Sequence, residues 1–106
     1  REESGLALSS RNTLLTADEK ATAVNISRVL RESTAFACSH SVEETQKMVT
    51  DTLNAIDGLE VEYFQIVDGI SLQPVTDWTA AESIVGCITV YCGSRPVRLI
   101  DNIKYQ

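Results

Sequence analysis

The stretch "GLALSSRN", Gly5 to Asn12, is where residue types and spacing come nearest to chemistry. Ser9 and Ser10 offer adjacent hydroxyl donors, and successive backbone N–H groups there can form an anion-binding concavity. Arg11 presents a fixed fork of donors that matches phosphate oxygens. Gly5 lets the backbone bend close to a ligand. Such a loop stabilises charge on a polyphosphate without covalent chemistry, which is what adenylation and phosphoryl-transfer sites need. The same four letters, SSRN, also suit a plain polar turn ahead of a helix, and the pattern alone leaves both readings open.

Little else in the chain resembles catalytic apparatus. There is no G-x-x-x-x-G-K-[ST] phosphate loop and no G-x-G-x-x-G. The single histidine, His40, has no nucleophile setting and reads as a solvated loop residue ahead of a helix cap. Cys38, Cys87 and Cys92 form no C-x-x-C motif, and with one histidine they build no metal constellation. They read as buried free thiols of an intracellular protein, and no metal site is expected.

The 106 residues suit one domain, 1–106, with one modest core. A formal charge of −6 argues against a nucleic-acid binder. The charge is uneven: residues 41–82 carry nine acids against Lys47 alone, while the rest carries six acids and eight bases. An anionic ligand is better received by the flanks, which include SSRN, and the acidic middle is expected to face solvent. No apolar run is long enough to span a bilayer. The N-terminus lacks a signal-peptide pattern, and a start at Arg1 rather than methionine suggests a fragment.

The elements that must hold SSRN follow from periodicity. Thr16 and Glu19 stand in capping-box spacing. Ala23, Ile26, Leu30 and Ala37 recur behind them at helical spacing, widened by Val29 and Phe36, which predicts a helix from about Ala17 to Cys38. Ser41 and Glu44 repeat the device for a second helix with Val42, Thr45, Val49, Leu53 and Ile56 on one face, Met48 at its edge and Gly58 as a stop. "LEVEYFQIVDG" reads as a strand and "SLQPVTDW" as a loop, whose Trp78 either caps a core edge or packs on a partner. "SIVGCITVYC" is nearly all apolar, as a strand covered on both faces or central in its sheet would be, and "VRLIDNIKY" follows as its hairpin partner. The fold class expected is α+β, two N-terminal helices packed on an antiparallel sheet of about three strands.

"RE-x-x-GLALSSRN" resembles the start of the C-terminal domain of the pantothenate synthetase (pantoate–β-alanine ligase) family. There a Met- or Leu-Ser-Ser-Arg stretch occupies the place of the KMSKS loop of related nucleotidyltransferases. "LLTADEKATA" is similar to the family's Leu-Ser/Thr-Pro-Glu-Glu-Arg helix start, with Ala17 where proline is usual. "VEYFQIVDGISLQPV" and "RPVRLIDNIKY" resemble two further family strands, so four motifs in order span nearly the whole chain.

The resemblance implies a ligase that joins pantoate to β-alanine through pantoyl adenylate, consuming ATP with Mg²⁺ and serving coenzyme A synthesis in the cytoplasm. It places Leu8 beside adenosine, Ser9 and Ser10 on the phosphates, and Arg11 opposite the charge that develops on them. It implies a lid that closes over a Rossmann-like N-terminal domain, in an enzyme that is a homodimer when full-length. The family's H-x-G-H motif does not occur here. The fragment alone is therefore expected to be inactive, to carry no cofactor and to bind ATP weakly if at all. A stand-alone interaction module built on the same scaffold is the alternative.

Overall fold

The computed structural model describes Gly5, Leu6 and residues 10–106, with Ser10 described by its backbone only. A short 3-10 helix, Ser10–Leu14, leads into α1 (Ala17–Ala37) and α2 (Val42–Asn54). Three strands follow: β1 (Leu59–Asp68), β2 (Ile84–Cys92) and β3 (Val97–Lys104). They form one antiparallel sheet in the order β1-β2-β3. The two-helix, three-strand α+β arrangement expected from the periodicity is the one observed.

Both helices begin as their sequences dictate. Thr16 and Ser41 each accept an N–H three residues on, from Glu19 and Glu44 (3.1 Å in both cases). Each glutamate returns the bond by accepting from the cap's own N–H, at 2.9 and 3.0 Å. Four N–H groups with no partner inside the helices are thereby satisfied. Helix α2 buries Val42, Thr45, Val49 and Leu53, as its spacing predicts. Helix α1 buries Ala23, Ile26, Val29 and Leu30, but also Ser27 and Ser33, while Phe36 and Ala37 are half-buried. Ser33 is admitted to the interior because its hydroxyl bonds the Leu30 carbonyl and the Tyr105 hydroxyl.

Strand β2 is central and, as its apolar run implies, is buried or half-buried along its whole length. Strand β1 changes phase partway. Leu59 and Val61 turn to the core, the register shifts between Val61 and Tyr63, and from there Phe64 and Ile66 turn to it. A bulge of this kind moves the side-chain pattern by one residue, so Glu62 and Tyr63 both stand exposed. Gly86, opposite Ile66, keeps the sheet clear for two rings: a Cβ there would lie 2.8 Å from Phe64 and 2.9 Å from Tyr105.

The polar backbone of the β1 edge is met by helix α2. Asn54 Oδ1 accepts the Val61 N–H at 2.8 Å, and Gln46 Oε1 accepts the Ile66 N–H at 3.1 Å. The loop after β1 folds back so that Val75 donates to Ile66 O at 3.1 Å. Trp78 caps the core margin, its ring 5.2 Å from that of Tyr105. The nine acids of 41–82 are exposed, apart from the half-buried Asp68.

Candidate nucleotide-binding loop

Two apolar anchors bracket the candidate loop. Gly5, at φ +93°, carries the chain past Ser27 of α1 and delivers Leu6 into the core, where it is 4% exposed. Leu15, at 7%, is the second anchor, immediately before the α1 cap. Between them the chain turns once as the 3-10 helix, which packs on β3. The Leu15 N–H donates to Asn12 O at 3.2 Å and closes that turn. Leu8 and Ser9 lie outside the described residues, as does the Ser10 side chain; Ser10 opens the 3-10 helix.

Arg11 is exposed, and its Nη1 donates to the carbonyl of Arg98 at 3.1 Å. That carbonyl belongs to the edge strand, so the guanidinium is held at the sheet margin with a face to solvent. The next polar groups form a cluster that the sequence did not disclose. Arg98 Nε bonds Glu62 Oε2 at 2.9 Å, and the Tyr91 hydroxyl donates to Glu62 Oε1 at 3.2 Å. The hydrogen bond and charge of Glu62 raise the Arg98 pKa above its ordinary value. Glu62 is exposed in phase with Glu60, so the cluster depends on which residues of β2 and β3 lie across from it, and the bulge then leaves Tyr63 exposed beside it. Arg98 is thus balanced by a carboxylate, and Arg11 stands at the start of the 3-10 helix.

Asn12 (3% exposed) and Asp101 (7%) were also not singled out by the sequence. A signal for Asp101 was there: Val97, Leu99, Asp101 and Ile103 alternate with exposed residues, so an acid occupies a core-facing position. Among the described residues no group of three or more His, Cys, Asp or Glu could hold a metal ion. Four clefts lined by described residues hold about 100 to 270 Å³ each, and Arg11 lines none of them.

Two expectations need correction. His40 does lie in the loop between the helices but is half-buried rather than solvated. Its ring stacks on Phe36 at 3.7 Å, its Nδ1 lies 2.9 Å from the Phe36 carbonyl, and its own carbonyl accepts from Trp78 Nε1 at 2.9 Å. Of the cysteines only Cys92 is buried. Burial raises the Cys92 thiol pKa, with the Glu19 charge adding to the effect. Cys38 caps the end of α1 and is exposed, and Cys87 is half-buried in β2.

Comparisons with known proteins bear on the family and the fold. The family model for pantoate-beta-alanine ligase matches residues 1–104. The chain is 59% identical to a pantothenate synthetase of Phocaeicola vulgatus and 58% identical to one of Bacteroides thetaiotaomicron. Both alignments run over all 106 residues and cover 37% of the relative. The chain thus spans little more than a third of the length of the curated relatives it matches. A crystal structure of pantothenate synthetase from Thermus thermophilus superposes with a TM-score of 0.83 at 32% identity, covering 99% of this chain and 37% of that one. With a family match over nearly its whole length, relatives close to 60% identical and a shared fold, the chain belongs to the pantoate-beta-alanine ligase family.

Proposed function

We propose that the chain is the C-terminal lid of a pantothenate synthetase and that Leu8, Ser9, Ser10 and Arg11 form its nucleotide-closing loop. The observation that carries this reading is Arg11: an exposed guanidinium fixed to the edge of β3 within the one stretch suited to phosphate. In the full-length enzyme the pantoate carboxylate attacks the α-phosphorus of ATP, giving pantoyl adenylate and pyrophosphate. The amine of β-alanine then displaces AMP to give pantothenate. Negative charge builds on the phosphates in the first step, and a preorganised guanidinium offsets it without having to reorganise. Ser9 and Ser10 donate to phosphate oxygens, Leu8 packs beside the adenosine, and Mg²⁺ enters with ATP as part of the substrate.

Closure brings a second surface, that of another domain, against Arg11. The partner is the protein's own N-terminal domain, which holds pantoate and most of the nucleotide. The full-length enzyme works as a cytoplasmic homodimer, and this domain alone makes no pantothenate. Among the described residues no helix is long and apolar enough to cross a membrane.

The test is pantoate-dependent exchange of pyrophosphate into ATP by the full-length protein, beside a titration of residues 1–106 with Mg·ATP followed by backbone amide shifts. Exchange by the full-length protein, with shifts in the isolated domain limited to Leu8–Arg11 and their neighbours or absent, is the expected result. A full-length protein without exchange overturns the reading.

A further inference from the structure

We propose that Asp101 is a positioning residue for this loop: a buried carboxylate on β3 that fixes the 3-10 helix beside it and so sets the direction of Arg11. The inference rests on the nucleotide-loop reading above. Among the described residues Asp101 is the one buried charged side chain, at 7% exposure. The other buried polar residues are Asn12, Ser27, Ser33, Thr45 and Thr89. Asn12 is the one of these with a side-chain amide, and it belongs to the 3-10 helix that packs on β3. The two most polar buried groups thus sit on two elements in mutual contact, the 3-10 helix and β3.

Burying a carboxylate costs several kcal/mol unless its geometry is well satisfied, and an apolar residue would continue the Val97, Leu99, Ile103 alternation. The departure falls on the strand that receives the candidate loop. Asp101 Oδ1 accepts the Asn102 N–H at 2.7 Å, which fixes the direction of the carboxylate. Arg11 docks on the carbonyl of Arg98, three residues earlier on the same strand. A buried polar group held in one direction resists displacement of whatever packs against it. The 3-10 helix, only five residues long, has little rigidity of its own.

The experiment is Asp101→Asn in the full-length protein, which removes the charge at nearly constant volume. Pantoate-dependent ATP–pyrophosphate exchange is measured at a temperature where circular dichroism finds the variant folded. The expected result is a KM for ATP raised about tenfold or more, a lower kcat and an unchanged KM for pantoate. Val49→Ala, a core change in α2, should lower thermal stability without that selectivity. A folded Asp101→Asn variant with wild-type constants, or one whose two KM values rise together, overturns the proposal. If Asp101→Asn does not fold, Asn12→Ser on the other side of the seam is read in its place, and an unaltered KM for ATP there overturns it too. A wild-type protein with no exchange sinks the nucleotide reading instead. Amide hydrogen exchange at Arg11–Leu14 then decides the positioning role alone: faster exchange in Asp101→Asn supports it, and unchanged exchange overturns it.

Discussion

The two edges of the sheet are closed by different means. The β1 edge is met by Asn54 and Gln46, side chains of a 13-residue helix that packs along the strand. The β3 edge is met by a five-residue 3-10 helix and by one arginine on the Arg98 carbonyl. Both arrangements protect edge backbone that would otherwise pair with another chain. The β1 edge is closed by neutral amides along a full helix, and the β3 edge by a short helix and an exposed guanidinium, the group proposed above to meet the nucleotide.

The sharpest way to break that comparison is Arg11→Ala in the full-length protein. Adenylation should fall roughly a hundredfold, the usual loss when one preorganised donor is removed from a developing anion. Stability should fall by less than about 1 kcal/mol, because the lost hydrogen bond is exposed. Exchange kinetics and thermal melts read the two effects separately. Equal damage to both would make Arg11 a structural clamp, and the β3 edge would then be no different in kind from β1.

A smaller effect comes from the far end of β3, where Tyr105 bonds Ser33 of α1. Burial pushes the Tyr105 pKa up to about 12 from an ordinary 10.0. The folded state therefore holds this proton more tightly than the unfolded chain does. The resulting stability is complete below pH 10 and is lost as pH rises from about 10 towards 12, by at most about 2–3 kcal/mol. Denaturant titrations across that window should show the decline, and Tyr105→Phe should flatten it.

Gln46→Ala is the converse of the arginine change. It leaves the half-buried Ile66 N–H without its acceptor, at a cost of about 1–2 kcal/mol in urea unfolding. Adenylation by the full-length protein should be untouched. A loss of activity here would mean that the two edges communicate through β2.

How legible each region was follows from the kind of physics that sets it. The helices were readable because a capping box and a period of 3.6 are local, and Thr16-Glu19 and Ser41-Glu44 carry them outright. The central place of β2 was readable from its unbroken apolar run. The bulge after Val61 was not, because it depends on cross-strand pairing, and the Glu62–Arg98–Tyr91 cluster escaped notice for the same reason, since its members come from three strands. His40 was misjudged for a related reason: what half-buries it is Phe36 one turn earlier and Trp78, 38 residues later. At the candidate site Arg11 was legible from residue type alone, whereas its anchor on Arg98 is a contact across 87 residues that no local pattern encodes.

The smallest expected effect separates the edges most finely, because it applies one chemistry to both. Thr16 and Ser41 make the same capping box, one just after the 3-10 helix and the other at the start of the helix that closes β1. Replacing either with alanine should cost about 1 kcal/mol of stability. Their consequences for the reaction should differ. Thr16→Ala frees the chain next to Leu15, the anchor that ends the candidate loop, and should raise the KM for ATP in the full-length protein severalfold. Ser41→Ala loosens only the start of α2 and should leave that constant alone. If both variants leave it alone, the loop is held from Leu6 and β3 rather than from α1, and the functional edge is narrower than the 3-10 helix that covers it.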